Sequence, residues 1–109
     1  MRILVLAIVF ALIALAGPAY ADHHGDGQKA ILVTGASTGI GRYMAERLAK
    51  DGYYVYAGAR KQQDLDELSA IDNIEGIRLD VTKQDQIDAA VETVAKGGRG
   101  LYGLVNNAG

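Results

Sequence analysis

The chain has 109 residues, carries a formal net charge of −2 at pH 7 and contains no cysteine. The lack of cysteine excludes a disulfide scaffold, a thiolate metal site and a cysteine nucleophile. The scattered basic residues argue against nucleic-acid binding, which needs a basic stripe. Half of the chain is hydrophobic, but 18 of the apolar residues lie within the first 21. The 88 residues that follow have an ordinary composition and suffice for one small domain.

Residues 1–21 have the pattern of a signal peptide or an N-terminal anchor. Arg2 precedes an uninterrupted apolar run at 3–16, which Gly17-Pro18 ends because proline breaks a helix. Ala19-Tyr20-Ala21 then has the small-x-small form of a cleavage site. As a helix the run rises about 21 Å, less than a hydrocarbon core of roughly 30 Å, which favours a cleaved signal. We therefore expect an exported protein, periplasmic or secreted, or alternatively a membrane-anchored one.

Residues 22–28 form a polar, glycine-rich linker. Cleavage after Ala21 would leave Asp22-His23-His24 at the new terminus. A free amine with histidine in third place can bind Cu(II) or Ni(II) through the amine, two amides and the His24 imidazole. A solvated tail is the simpler interpretation of such a short tract.

The elements predicted after the linker alternate between strands and helices. In chain order they are a strand at 29–34, a helix from Ile40 to Asp51-Gly52, a strand at 53–57, a helix at 64–68, a strand at 74–81, a helix ended by Gly97-Gly98 and a strand at 101–106. Ile40, Met44 and Leu48 are predicted to share one face of the first helix. Asp64 and Thr82 are predicted to cap the second and third helices. This alternation predicts an α/β fold with a parallel sheet.

The turn after the first strand contains three glycines spaced G-x-x-x-G-x-G. Gly35 would allow the sharp turn, Gly39 would let a pyrophosphate approach the backbone, and Gly41 would let the helix pack closely on the sheet. Ser37 and Thr38 add hydroxyls and loop amides beside the helix N-terminus, which favours phosphates. A plain glycine-rich turn is the structural alternative. The strand–turn–helix context favours a dinucleotide site.

These features resemble the short-chain dehydrogenase/reductase family. The family's T-G-x-x-x-G-x-G stands at 34–41, its aspartate after the third strand stands as Asp80, and its N-N-A-G stands at 106–109. The resemblance covers residues 29–109 and implies a Rossmann-type parallel sheet in the order 3-2-1-4, with flanking helices and truncated after the fourth strand. It also implies that the chain binds dinucleotide, and that a full-length parent moves hydride between this cofactor and an alcohol or carbonyl.

The resemblance also implies residue roles. Asp80 would accept a hydrogen bond from the adenine amino group, with the Val81 backbone beside it. Residues 107–109 would line the adenine-side ribose, and Asn106 would brace the fourth strand. The alternative for Asp80 is a carboxylate at the start of a helix, and the adenine contact is favoured because Thr82 is expected to supply the cap.

The end of the second strand indicates which cofactor is used. An NAD site places a carboxylate there for the ribose 2′-hydroxyl, but residues 57–61 contain none. Arg60 instead fits a 2′-phosphate, and Lys61 could add charge, unless the two are merely a solvated surface pair. NADP(H) is therefore favoured over NAD(H). The predicted cofactor site comprises Gly35, Ser37, Thr38, Gly39, Ile40, Gly41, Arg60, Asp80, Val81, Asn107, Ala108 and Gly109.

The family's catalytic Ser, Tyr-x-x-x-Lys and Asn lie beyond N-N-A-G, and none of the six tyrosines here has lysine four residues later. We therefore expect an N-terminal fragment that binds dinucleotide without the catalytic residues. Residues 99–107 resemble the retinol, hydroxysteroid and hydroxybutyrate dehydrogenase branch, which implies a small apolar alcohol or ketone as substrate of the parent. The alternatives are a complete non-catalytic dinucleotide-binding module, which could form a homo-oligomer through the fourth strand's open edge, and an exported protein with a copper-binding tail.

Overall fold

The computed structural model of the chain describes residues 27–108. The predicted signal or anchor at 1–21, the metal-binding tail at His24 and the predicted site residue Gly109 lie outside the described residues. Within 27–108, no helix has both the length and the apolar character needed to cross a bilayer.

Within residues 27–108, four strands and three helices alternate, as predicted. They are β1 Ala30–Val33, α1 Gly39–Lys50, β2 Tyr54–Ala59, α2 Gln62–Ser69, β3 Ile74–Arg78, α3 Gln84–Gly97 and β4 Gly103–Val105. The strands form one parallel sheet in the order β3-β2-β1-β4. This confirms the predicted α/β Rossmann-type sheet with the order 3-2-1-4 and flanking helices.

Two hydrophobic clusters pack against the two faces of the sheet. Alternate residues along β1 point to opposite faces, so Leu32 belongs to one cluster and Val33 to the other. The cluster with Leu32 includes Val94 of α3, whereas the cluster with Val33 includes Ala45 of α1 and Leu68 of α2. All of β1 is buried because helices cover both faces, which explains its unbroken apolar run.

The buried face of α1 differs from the predicted one. Ile40, predicted to share one apolar face with Met44 and Leu48, is 71% exposed, and the other two are only half-buried. The buried set consists of the small residues one position further along the helix: Gly41, Ala45 and Ala49. Small side chains on this face let the helix axis lie close to the sheet. The short distance between helix and sheet therefore decides which residues are buried, rather than the spacing of the large apolar residues.

The two predicted helix caps are wrong. Helix α2 begins two residues before Asp64, with Lys61 at the N-cap, because only Arg60 and Lys61 separate it from β2, which continues two residues beyond its predicted end to Ala59. Helix α3 begins two residues after Thr82, with Lys83 at the N-cap. The Thr82 hydroxyl is engaged elsewhere, because it donates to Asp80, as described below.

Tyr54 makes the stability of the fold sensitive to alkaline pH. Its hydroxyl donates to Glu75 at 2.7 Å, and burial, aided by that carboxylate, raises the pKa of Tyr54 from 10.0 to about 12. The unfolded chain ionises first, so this stabilisation is complete below pH 10 and is lost as the pH rises through about 12. We expect Tyr54→Phe to reduce, but not abolish, the alkaline loss of unfolding free energy, since burial also raises the pKa of Tyr56. Urea unfolding across this range checks the prediction, and an identical pH profile in the variant would contradict it.

Candidate functional site

A cavity of about 340 Å³ opens where β1, β2 and β3 end. Its lining residues are Gly35, Ser37, Gly58, Ala59, Arg60, Leu79, Asp80, Val81, Thr82 and Ala108. Ligands of open α/β sheets bind at this carboxyl-terminal edge. Predicted site residues from four separate segments of the chain therefore meet in one cavity. Five other predicted site residues do not line it: Thr38, Gly39, Ile40, Gly41 and Asn107.

Small residues that were not among the predicted site residues line the cavity at the end of β2. The Gly58 carbonyl accepts a hydrogen bond from the Ala36 amide at 2.8 Å, which ties the glycine loop, residues 35–41, to β2. A Cβ on Gly58 would lie 3.3 Å from Leu79 Cβ and 3.4 Å from the Val33 carbonyl. The change from bulky to small residues along β2 could have indicated these positions. A cavity at the end of a strand requires small side chains there, such as those of Gly58 and Ala59.

The glycine loop is shaped by backbone conformations and contacts that side chains oppose. Gly35 and Gly39 have φ of +63° and +62°, in the left-handed region that favours glycine. A Cβ on Gly41 would collide with the Gly35 carbonyl and lie 2.6 Å from Asn107 Nδ2. A Cβ on Gly39 would have no described atom within 4 Å. The loop is thus tightly packed at Gly41, whereas at Gly39 the described residues leave space beside the backbone.

Arg42, which the sequence analysis did not single out, ties this loop to its surroundings. Its guanidinium contacts Glu46 at 2.6 Å and Glu67 of α2 at 3.4 Å, and it donates to the Ser37 carbonyl at 3.4 Å. Hydrogen bonding to Glu46, then to Glu67, raises its pKa against the opposing effect of burial. Because Ser37 lines the cavity, Arg42 links one wall of the cavity to both helices.

The segment after β4 is attached to the glycine loop by Thr34 and Asn107. The buried Thr34 hydroxyl accepts hydrogen bonds from the Asn107 and Ala108 amides, both at 3.0 Å. Asn107 Nδ2 donates to the Gly35 carbonyl at 3.0 Å. Asn106, predicted to brace β4, is exposed and makes no side-chain hydrogen bond among the described residues. The bracing is done by Asn107, because the chain turns after Val105 and brings the next side chain onto the loop.

Asp80 is held as a fixed carboxylate at the end of β3. Its Oδ1 accepts from the Thr82 amide at 2.9 Å and from the Thr82 hydroxyl at 2.6 Å. These hydrogen bonds, with smaller effects of Lys83 and Arg60, lower the pKa of Asp80. Among the hydrogen bonds of the described residues, Oδ2 takes part in none. Thr82 thus orients Asp80 rather than capping α3, and leaves an ionised oxygen for a donor such as an amino group.

Arg60 and Asp80 place opposite charges on the walls of one cavity. Arg60 follows the last residue of β2 and is exposed. Asp80 is the only carboxylate among the residues described as lining the cavity. The volume falls within the range of small-molecule sites, about 300–1,000 Å³. Open loop backbone, one cation and one oriented carboxylate are groups that fit the phosphates, ribose and adenine of a dinucleotide.

Thr34→Val is expected to loosen this cavity without enlarging the core. Valine keeps the shape of threonine but removes the oxygen that accepts from the amides of Asn107 and Ala108. Each hydrogen bond contributes about 0.5–1.5 kcal/mol net, so losing the two bonds from exposed Asn107 and half-buried Ala108 should cost about 1–3 kcal/mol of stability. Chemical denaturation measures the loss, and Thr93→Val, on a half-buried position of α3, serves as the matched control. Equal effects at the two positions would contradict a bracing role for Thr34.

The family model described as short chain dehydrogenase matches residues 29–109. An uncharacterized oxidoreductase YbbO of Escherichia coli strain K12 is 39% identical over 83 residues, covering 75% of this chain and 30% of that protein. The 17-beta-hydroxysteroid dehydrogenase type 6 of Bos taurus is 41% identical over 85 residues, covering 74% of this chain and 27% of that protein.

A solved structure gives the same result in three dimensions. A short-chain dehydrogenase from Streptomyces avermitilis superposes with a TM-score of 0.68 at 44% identity, covering 78% of this chain and 32% of that one. The chain therefore spans roughly a third or less of the length of the relatives it matches. The family model extends over most of the chain, from the first strand through the last motif. The chain belongs to the short-chain dehydrogenase family.

Proposed function

We propose that residues 29–109 are the N-terminal, NADP(H)-binding part of an oxidoreductase. The observation that carries the choice of NADP(H) is Arg60, which lines the cavity at the end of β2. Residues 57–61 contain no carboxylate to pair with a ribose 2′-hydroxyl. A guanidinium pairs with phosphate oxygens through two N–H groups, which a hydroxyl cannot match. Lys61, exposed beside Arg60, adds to the positive charge.

The described residues would bind and orient the cofactor rather than carry out its chemistry. Asp80 would receive the adenine amino group at one end of the cavity, and Arg60 would hold the 2′-phosphate beside it. The glycine loop from Gly35 to Gly41 would present backbone N–H groups to the pyrophosphate at the start of α1. When bound, the nicotinamide cofactor supplies or accepts the hydride.

In the whole protein we propose hydride transfer between NADP(H) and a small apolar alcohol or ketone. The likeness of residues 99–107 to the hydroxysteroid dehydrogenase branch supports this substrate class, and so does a relative whose name gives a hydroxysteroid. The family's Tyr-x-x-x-Lys pair has no counterpart within residues 1–109. We therefore propose that this chain binds cofactor but lacks the proton donor that the reaction requires.

Titration of the chain with NADPH and with NADH tests the binding proposal. We expect NADPH to bind about tenfold or more tightly, which corresponds to about 1.4 kcal/mol or more from the 2′-phosphate. Equal affinities, or tighter binding of NADH, would contradict it.

A turnover assay tests the catalytic proposal separately. The 109-residue chain should bind NADPH yet not oxidise it in the presence of apolar ketones. A chain extended through a downstream Ser and Tyr-x-x-x-Lys should do both. Turnover by the shorter chain would contradict the proposal, and a reading frame without those residues would favour a non-catalytic binding module.

We also propose that residues 1–21 direct export or anchor the protein in a membrane. The apolar run at 3–16 and the Ala-Tyr-Ala sequence before Asp22 support this. Mass spectrometry of the protein from cells identifies its first residue. A terminus at Asp22 indicates a cleaved signal, and an intact terminus in the membrane fraction indicates an anchor. An intact terminus in the soluble cytoplasmic fraction would contradict the proposal.

A further inference from the structure

Arg78 forms a bridge from the edge of the sheet to the turn that carries Arg60. It is the last residue of β3, and its side chain is exposed. Its Nη1 donates to the Arg60 carbonyl at 2.6 Å, and its Nη2 donates to Gln62 Oε1 at 2.8 Å. One guanidinium therefore holds two points of the β2–α2 turn, on either side of Lys61.

The bridge starts from a rigid position. Arg78 pairs with Ala59 in the parallel register of β2 and β3, so its backbone is fixed directly beside the end of β2. Arg60 is the next residue after Ala59 and lies outside the ladder. At the N-cap of α2, Lys61 makes no side-chain capping bond. Among the described side-chain contacts, the Arg78 fork is thus the contact that fixes the turn to the sheet.

We propose that Arg78 is a positioning residue for cofactor selectivity, which acts by holding the backbone of Arg60. This inference rests on the proposed NADP(H) function. The long Arg60 side chain loses rotamer freedom when it binds a phosphate, and a loose backbone adds to that entropic cost. Arg78 fixes the Arg60 carbonyl, so the backbone of Arg60 is already ordered before its side chain binds the 2′-phosphate, and the entropic cost of binding is lower. NADH has no 2′-phosphate and gains nothing from this ordering.

The geometry requires arginine rather than any cation. The planar guanidinium presents parallel N–H groups to the Arg60 carbonyl and Gln62 Oε1 at once. A lysine ammonium is a compact point charge on a flexible stem and does not reproduce this fork. Arg78→Lys keeps the positive charge but loses the paired hydrogen bonds, so it separates the effect of these bonds from the effect of the charge.

The test is a double-mutant cycle read out as dissociation constants for NADPH and NADH. We expect Arg78→Ala to weaken NADPH binding about fivefold to tenfold, less than replacement of Arg60 itself, because the phosphate contact remains but is less well ordered, and to leave NADH binding unchanged. Arg78→Lys should behave like Arg78→Ala. In an Arg60→Ala background, the further loss of Arg78 should have little effect, because no guanidinium remains to be positioned. Gln62→Ala removes the second acceptor of Arg78, together with the hydrogen bond that Gln62 donates to Asp66 at 2.7 Å, and should give a smaller loss.

Arg47→Ala is the matched control, since it also removes an exposed arginine from an ion pair, with Asp51 at 3.4 Å. It should leave both dissociation constants unchanged. Thermal melts identify variants that are unfolded, in which case Arg78→Lys and Gln62→Ala decide the outcome.

The outcomes distinguish this inference from the function on which it rests. A wild-type chain without preference for NADPH, or a preference that survives Arg60→Ala, overturns the proposed function. A preference that depends on Arg60 but is unchanged in Arg78→Ala and Arg78→Lys overturns only the role of Arg78. Equal losses for NADPH and NADH, or additive effects in the double variant, would show that Arg78 acts as general structural support or independently of Arg60, and would also overturn it.

Discussion

Gly41→Ala is expected to destabilise the fold by about 3 kcal/mol or more and to abolish dinucleotide binding. The new methyl group would collide with the Gly35 carbonyl, and the Gly35 carbonyl carbon lies only 2.9 Å from its position. Both contacts are with backbone, which cannot rotate away as a side chain does. Relief requires that the start of α1 and the backbone at Gly35 move apart, and this movement distorts the loop that would hold the phosphates. Such a loss is large beside a total stability of about 5–15 kcal/mol for a small domain.

Two other glycines are controls for the Gly41 substitution. Gly52, after the end of α1, has a φ of +100° and no described atom within 4 Å of an added Cβ. Gly52→Ala should lower stability by about 1–2 kcal/mol through backbone strain and leave binding intact. Gly39→Ala carries similar strain in the open part of the loop and should weaken binding more than stability. Urea unfolding and NADPH titration measure both effects. Normal stability and binding in Gly41→Ala would refute the close packing of α1.

Arg60→Asp is expected to reverse the cofactor preference. Charge-assisted hydrogen bonds to a phosphate contribute about 1.5–3 kcal/mol, so NADPH should bind about tenfold to a hundredfold more weakly. NADH should bind more tightly, because the new carboxylate can accept from the ribose 2′-hydroxyl. Parallel titrations with the two cofactors give the ratio directly.

The neighbouring Asp80 requires a control in this experiment. Arg60 contributes to the lowered pKa of Asp80, and a second carboxylate in the cavity would oppose that effect. Arg60→Ala removes the phosphate contact without adding negative charge, so it separates lost attraction from new repulsion. We expect its NADPH affinity to lie between those of the wild type and Arg60→Asp. An unchanged ratio of the two affinities in both variants would exclude Arg60 as the selecting residue.

Much of the fold follows from the order of residues along the chain. The strand–helix alternation predicts a parallel sheet, because parallel neighbours need a crossover between them. The resemblance of the three motifs to the family implies the strand order 3-2-1-4, and the structure confirms it. Residues from the ends of several strands were predicted to serve one site, and Gly35, Arg60 and Asp80 do meet in the cavity.

The errors lie where distant segments meet. The spacing of Ile40, Met44 and Leu48 is helical, but spacing cannot show how near the sheet approaches, and this distance selects the small residues for burial. Threonine is a residue type suited to a helix cap, but the Thr82 hydroxyl donates to the nearby Asp80 carboxylate instead, and Lys83 occupies the N-cap of α3.

The sequence by itself determined the element types, the parallel sheet, the glycine turn and the family, because these depend on backbone preferences and motifs that are local in the chain. The tertiary structure alone decided which groups hold the site together. Asn107 reaches the Gly35 carbonyl across 72 positions, and Arg78 reaches the Arg60 carbonyl across 18. Such contacts depend on strand register and on the closeness of α1 to the sheet. Both are fixed only when the whole core packs, because side chains reach such distant partners only in that packed geometry.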